Sequence, residues 1–312
     1  MHATCRDIFT DWAPHHAQLW GKTPLPVSHN LHEHELFSEA GLAELLETYP
    51  REHYSLVQWG AQGATATWRE GELRGLSGRD AIAAAARACV WINLRNVARI
   101  DARYGELLSC IAEETARRMP DLGAYNWTMG ILISSPRSRT VYHADLPGQS
   151  LLQIRGAKKI YVFPRAAPFI TEQHIERIAL SGVEASIPYE PWYEDFASVH
   201  ELRPGDMLHW PLNAPHRVDN EDCLNVSVTL EYFTRDIRRS HMVTMANAIM
   251  RTQFGASPKR LTIHGPSFWA KAVLQRALRN TKRIKREDRA HRKPEFRLDP
   301  THPGGIVEIG SM

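Results

Sequence analysis

The spacing of apolar positions changes twice along the chain. Residues 1–40 are rich in Pro and His without a sustained period and read as loops and short strands. GLAELLETY (41–49) has the composition of a short helix and runs into Pro50, which cannot continue one. Residues 57–68 alternate as strands do. Residues 80–89 are rich in strong helix formers, and VWINLRNV reads as a strand. Asp101 is a natural N-cap for a helix running to Met119, with Pro120 as its stop.

From Ala124 the texture becomes that of a β structure. NWTMGILIS, RTVYHAD, SLLQIRG, KKIYVFP, SVHEL, DMLHWP and LNVSVTLEYF are separated by SPRS, LPGQ, RGAK and RPGD. Short strands with regular turns predict a β-sandwich or small barrel. Between residues 163 and 197 the pattern lapses, which predicts an insertion with a helix near 171–180. After Phe233 helical spacing returns. Ile237, Val243, Ala246, Ile249 and Met250 mark one helix stopped by Gly255. A second begins near Ser267 and continues into KRIKRED, and the last twenty or so residues read as extended. The expected fold class is α+β with a mainly β core. Residues 1–123 form a helical or mixed region packing on the barrel. Residues 124–235 form the β core, with an insertion at about 164–197, and residues 236–312 the C-terminal helices and basic tail.

Composition narrows the class. The 312 residues are 43% hydrophobic and 23% charged, which is ordinary globular composition. No apolar run approaches the roughly 18–20 residues of a membrane span, and the N-terminus lacks the apolar stretch of a signal peptide. The expectation is a soluble cytoplasmic protein. The net charge of +3 hides an asymmetry: residues 259–299 hold thirteen Lys/Arg against four Asp/Glu, a surplus of nine, which leaves −6 for the rest. Cys5, Cys89, Cys110 and Cys223 lie far apart and form no CxxC pair, so a zinc-finger, redox-dithiol or disulfide-framework reading has little support. No GxSxG elbow, Walker loop or GxGxxG fingerprint is present, which weakens hydrolase, nucleotidase and dehydrogenase readings.

With sixteen histidines, spacing must decide which matter. On a strand, residues i and i+2 share a face, so His143 and Asp145 can converge on one ion. His216, after RPGDMLHWPLNAP, would reach it from a second strand facing the first across a barrel. Two imidazoles and one carboxylate occupy one face of an octahedral Fe(II) and leave three positions open.

The run T-x-x-H-x-D from Thr140, then QIRGAKK from Gln153, then LRPGDMLHWPLNAPH ending at His216, resembles the cupin-like branch of the JmjC dioxygenases. The nearest pattern is that of the asparaginyl hydroxylase of a hypoxia-inducible factor, and the resemblance covers roughly residues 90–235. It implies a double-stranded β-helix, a squashed jelly-roll barrel, using Fe(II), 2-oxoglutarate as co-substrate and O2. His143, Asp145 and His216 match the catalytic iron ligands. Lys158 matches the lysine that pairs with the distal carboxylate of 2-oxoglutarate, and Thr140 a hydroxyl that bonds the same group. Lys159 would point to the opposite face. Ser227 and Thr229 share a face of the final strand and could add polar groups to the co-substrate pocket. Glu231 stands where the hydroxylase has an Asn, and a carboxylate there is unfavourable unless paired or turned away. Gln149 and Gln153 are candidate polar lining residues.

The resemblance implies a dioxygenase that hydroxylates a C–H bond, with a protein or peptide side chain as the preferred target and N-demethylation as a variant. A small-molecule hydroxylase and a non-catalytic cupin-like regulator remain as alternatives. His29, His32 and His34 read as a solvated stretch, and His209 as a strand histidine with a satisfied ring. The aromatics of IPYEPWYEDF (187–196) read as pins for the insertion. The C-terminal apolar stripes suit packing on the barrel or a homodimer contact, and KRIKREDRAHRK a nucleic-acid or ribosome contact.

Overall fold

The computed structural model describes residues 6–59, 68–73, 75–185, 187–278 and 293–309. Turn-bounded alternating runs become the strands β1 (Leu25–Ser28), β2 (Tyr54–Trp59), β3 (Trp68–Glu72), β4 (Trp91–Leu94), β5 (Tyr125–Ser134), β6 (Arg139–His143), β7 (Gly148–Arg155), β8 (Lys158–Val162), β9 (Ser198–Leu202), β10 (Asp206–His209), β11 (His216–Asn220), β12 (Asn225–Phe233), β13 (Phe296–Leu298) and β14 (Ile306–Glu308). Around them lie α1 (Pro14–Leu19), α2 (Glu39–Glu47), α3 (Gly78–Ala85), α4 (Val97–Ile100), α5 (Ala102–Arg118), α6 (Glu172–Ser181), α7 (Arg235–Phe254) and α8 (Gly265–Leu278).

Strands β5 to β12 shuttle between two sheets. The smaller has the order β6-β11-β8-β9, and the larger contains β10-β7-β12-β5 as neighbours. This is a double-stranded β-helix of the cupin or jelly-roll kind, as expected. The larger sheet continues beyond that barrel: β1 adds beside β10, and β4-β2-β3-β13-β14 extend it beyond β5. The pairing β2–β4–β5 is antiparallel and in continuous register, with Ser55 opposite Asn93 and Asn93 opposite Leu132. The C-terminal segment, read as extended, includes the two short strands β13 and β14.

The main core lies on the face of the large sheet covered by the N-terminal helices. Leu56, Ile92, Leu94, Ile131 and Ile133 are fully buried there with Tyr104 and Ile111 of α5. Each such side chain contributes roughly 1.5–3 kcal/mol by leaving water. A second cluster (Leu151, Ile160, Val162, Leu202, Leu208, Trp210 and Val218) fills the closed part of the barrel between the sheets. A third pins the insertion: Tyr142 and Phe163 of the barrel meet Phe169, Ile175, Ile178 and Tyr193.

Caps account for several helix starts. Ser38, Ser77, Asp101, Thr171 and Thr234 each accept a backbone N–H of the turn they open. Gly255 stops α7 in the left-handed conformation, as expected. Helix α3 ends at Ala85, short of Cys89. The start of α8 at Gly265 agrees with the expected second helix, while its proposed continuation through residues 279–292, the basic run included, lies outside the described residues. Cys89 and Cys223 are free thiols, whereas Cys110 is disulfide-bonded, a pairing that the wide spacing of the cysteines in sequence did not suggest.

Candidate metal centre

Three ligand-type side chains meet at one end of the barrel. His143 closes β6 and His216 opens β11, and the two are direct cross-strand partners. The sequence reading placed them on strands facing each other across the barrel. They are hydrogen-bonded neighbours in one sheet instead, so the pleat rather than the barrel diameter sets their separation. Asp145 lies two residues past the end of β6. One ligand atom from each of the three falls within 4.8 Å of the others. His216 Nε2 is 3.3 Å from Asp145 Oδ2, and His143 Nε2 is 4.0 Å from Asp145 Oδ1.

The ring tautomers follow from backbone contacts. His143 Nδ1 lies 2.8 Å from the Val141 carbonyl, and His216 Nδ1 lies 3.1 Å from the Ala214 carbonyl. A carbonyl can only accept, so each Nδ1 carries the proton and each Nε2 presents a lone pair to the centre. Asn213 donates to the Asp145 backbone carbonyl at 2.6 Å. Gln149, with its amide nitrogen turned to the carboxylate, donates to Asp145 Oδ2 at 2.7 Å. Gln149 thereby orients the carboxylate, while Asn213 fixes the backbone that carries it.

The electrostatics fit a cation. Burial, reinforced by the charge of Glu231, pushes the Asp145 carboxyl up to about 8, and burial holds both imidazoles below their ordinary value. A buried carboxylate flanked by two neutral imidazoles gains most from a dication between them. The donor set of two nitrogens and one oxygen on one side, with a cavity on the other, suits Fe(II) with open positions.

That cavity has a volume of about 610 Å³ and includes all three ligands on its wall. Thr140, Gln149, Thr229 and Glu231 line it, as do Trp91, Asn93 and Arg95 of the sheet extension and Val183, Glu184 and Ala185 of the insertion. Lys158 lies inside the barrel on β8, 3% exposed, opposite Asn220 and Leu202, and is not part of the cavity wall. Among the described residues it forms no ion pair, and burial lowers its ammonium to about 7, with Cys223 acting in the opposite sense. Lys159 faces outward in ion pairs with Glu201 and Glu221.

The remaining candidates divide. Ser227 is fully buried away from the cavity, donating to Gln153 Oε1 at 2.7 Å, and Gln153 donates in turn to Asn225. This network ties β7 to β12, so Gln153 does not line the cavity either. His29 is 2% exposed rather than solvated, with Nδ1 accepting from Leu31 N. His209 stacks on Trp20 with a centroid separation of 3.8 Å and shares a hydrogen bond with Ser150, while its Nε2 has no partner among the described residues. The sequence did not single out Asn213, Trp91, Asn93 or Arg95. The strand run VWINLRNV holds three of them, and alternation would have put Trp91, Asn93 and Arg95 on one face.

No protein-family profile matches the chain, and no curated protein matches it. Solved structures do. YcfD of E. coli is similar with a TM-score of 0.51 and 15% identity, over 88% of this chain and 69% of that one. Two further structures of YcfD, described as a ribosomal oxygenase from Escherichia coli, contain cobalt with succinic acid or cobalt with 2-oxoglutarate. They are 16% and 17% identical, cover 88% and 89% of this chain and 68% and 69% of theirs, and have TM-scores of 0.48 and 0.46. The chain thus has the double-stranded β-helix fold found in the JmjC-type oxygenases, with a His-Asp-His constellation at one end of the barrel.

Proposed function

We propose that the protein is an Fe(II)- and 2-oxoglutarate-dependent dioxygenase that hydroxylates a C–H bond, with a protein or peptide side chain as its target. The observation that carries this reading is the convergence of His143, Asp145 and His216 on the wall of a large cavity, each histidine with its Nδ1 proton committed to a backbone carbonyl. When bound, iron and co-substrate supply the oxidation: one atom of O2 goes to the substrate C–H bond, and 2-oxoglutarate becomes succinate and CO2 with the other. The chain orients and shields. Gln149 and Asn213 hold Asp145, and Trp210 packs against the His216 ring at a centroid separation of 4.5 Å.

Lys158 and Thr140 are assigned to the distal carboxylate of 2-oxoglutarate. A buried ammonium with no carboxylate partner among the described residues is suited to an anion, and Thr140 lines the cavity beside the ligands. Thr229 is assigned to the lining of the same pocket. The fully buried Ser227, bonded to Gln153, stands behind that pocket without lining it. The domain division at about residues 123 and 235 belongs to the same reading. No described helix is long and apolar enough to cross a membrane, and we assign the protein to the cytoplasm. Trp269 and Val273, 61% and 67% exposed and one helical turn apart on α8, supply an apolar face for a homodimer.

The deciding experiment titrates 2-oxoglutarate into anaerobic protein loaded with Mn(II), beside His143→Ala. Metal-dependent binding that the substitution abolishes is expected. Absence of binding by a folded, metal-loaded protein would overturn the assignment and favour a non-catalytic cupin-like role.

A further inference from the structure

A second cavity, a cleft of about 160 Å³, lies between the first two turns of α7 and the last turn of α8, and none of the metal ligands lines it. Arg238, His241 and Met242 form its wall on α7, and Gln275 and Arg276 on α8. Residues i, i+3 and i+4 share one face of a helix, so Arg238 stands above His241 and Met242. Among the described residues no Asp or Glu lines the cleft.

Its two guanidiniums are not engaged. Arg238 and Arg276 are exposed, and among the described residues neither makes an ion pair, a side-chain hydrogen bond or a ring contact. Arg239, the next residue along α7, is the contrast. It hydrogen-bonds His264 Nδ1 through Nη1 at 2.9 Å, and its guanidinium lies 5.1 Å from the centroid of the Phe268 ring. Phe268 packs with Val243 and Ala272 in the apolar seam that joins α7 to α8, and Met242 rests on the same seam. The floor of the cleft is therefore fixed by the packing of the helix pair, while the two arginines at its rim have nothing to hold.

Gln275 adds a buried donor. It is 8% exposed, yet its amide makes no hydrogen bond among the described residues. A primary amide carries two N–H donors, and leaving them unpaired under cover is unfavourable. Since Gln275 lines the cleft, the cleft is where it meets a partner. Two guanidiniums on neighbouring helices repel one another until an anion lies between them. Their planar forks match the oxygens of a phosphate, and a phosphate monoester carries about −1.5 to −2 at pH 7. With water occupying about 30 Å³ in the liquid, the cleft has room for roughly five waters. That suits a phosphate group and excludes a whole nucleotide.

We propose that the α7–α8 cleft is a binding site for a phosphate dianion, with Arg238 and Arg276 donating to its oxygens from either side and the Gln275 amide donating from the floor. The ligand is a phosphate monoester whose remaining atoms lie outside the cleft. The site is separate from the metal centre and does not rest on the dioxygenase reading.

The test is calorimetric titration of inorganic phosphate, methyl phosphate and dimethyl phosphate into the full chain loaded with Mn(II) and 2-oxoglutarate. The two dianions are expected to bind saturably at one site. Dimethyl phosphate, a monoanion, should bind about tenfold more weakly or worse, as should either dianion to Arg238→Gln or Arg276→Gln, the loss expected for one charge-assisted hydrogen bond. Arg238→Lys should retain part of the affinity, because it keeps the charge and loses the fork. Both arginines are exposed, so unchanged thermal unfolding of the variants should show that they fold. Phosphate binding should survive His143→Ala, which separates the cleft from adventitious binding at the ion. Absence of saturable binding, equal affinity for dimethyl phosphate, full affinity in the doubly substituted protein, or loss in His143→Ala would each overturn the proposal. A 5′-phosphorylated oligoribonucleotide beside its unphosphorylated twin then distinguishes the sources. A clear advantage over methyl phosphate that needs the terminal phosphate places the monoester on a nucleic-acid end, and affinity equal to that of methyl phosphate places it on a small phosphorylated compound.

Discussion

Lys158 makes the most exposed claim at the residue scale. A lysine buried on a barrel strand with no carboxylate partner among the described residues is costly in isolation, and burial pushes its ammonium down to about 7. Pairing with the distal carboxylate of 2-oxoglutarate would raise it again. The sign follows directly. Above pH 7 free Lys158 is increasingly neutral, so binding the dianion must take up a proton, and affinity should fall as pH rises from 7 to 9. Calorimetry at pH 8 in two buffers of different ionisation heat should report that uptake. Lys158→Met should remove it and weaken 2-oxoglutarate by at least ~30-fold, from the roughly 2 kcal/mol or more lost when one partner of a buried charge pair is truncated. Unchanged affinity in the variant would reassign the co-substrate's anchor. That Lys158 and Lys159 face opposite ways was legible from strand alternation, whereas the choice of Lys158 came from the resemblance. That Ser227 would be consumed by Gln153 was not legible, because alternation assigns a face and not a depth.

At the scale of elements, one arginine of the barrel adds a polar grip to the apolar cluster that pins the insertion. Arg217 on β11 donates to both carboxylate oxygens of Glu194, at 2.7 and 2.6 Å, and to Asp219 at 2.6 Å. Its guanidinium lies 3.5 Å from the centroid of the Tyr161 ring. Such a fork carries more than an exposed ion pair because it is planar, stacked and half-buried. Since Val183–Ala185 of the same insertion line the cavity, Arg217 couples its anchoring to the site. Arg217→Ala should leave the barrel folded but speed proteolytic cleavage within residues 183–197 several-fold in a timed digest. An unchanged digest would mean that the aromatic cluster of Phe169 and Tyr193 suffices. The β7–β8 turn is a stricter constraint. Gly156 has φ +77° and a Cβ there would lie 2.4 Å from the Leu224 carbonyl. Gly156→Ala should therefore destabilise the protein by at least about 1–3 kcal/mol in urea unfolding, combining left-handed strain with a backbone clash.

For the whole molecule, the metal centre is also a stability element. Its ligands come from β6, the segment after it and β11, and the centre sits between the barrel and the sheet extension that forms the far cavity wall. A cation bound there binds the folded state only, so at about 100 times its dissociation constant it should add about 2.7 kcal/mol. At about 2–4 °C per kcal/mol that corresponds to an increase in Tm of roughly 5–11 °C. Mn(II) should produce this shift by calorimetry, and Asp145→Ala should abolish it. A Tm indifferent to metal in the unsubstituted protein would argue against a preformed centre.

The sequence by itself determined the barrel, the insertion, most helix boundaries and the identity of the three ligand-type residues. Period-2 runs between turn residues, Ser, Thr and Asp caps, and a glycine stop are local signals, written within a few residues of where they act. Tertiary structure decided what is non-local. It made His143 and His216 partners in one sheet, added β2–β4 and the C-terminal strands to the barrel's larger sheet, and turned Trp91, Asn93 and Arg95 into cavity wall. It also left Glu231 on the cavity wall without an ion pair among the described residues. Strand pairing across many tens of residues depends on which edges remain free after the barrel closes, and no local pattern encodes that.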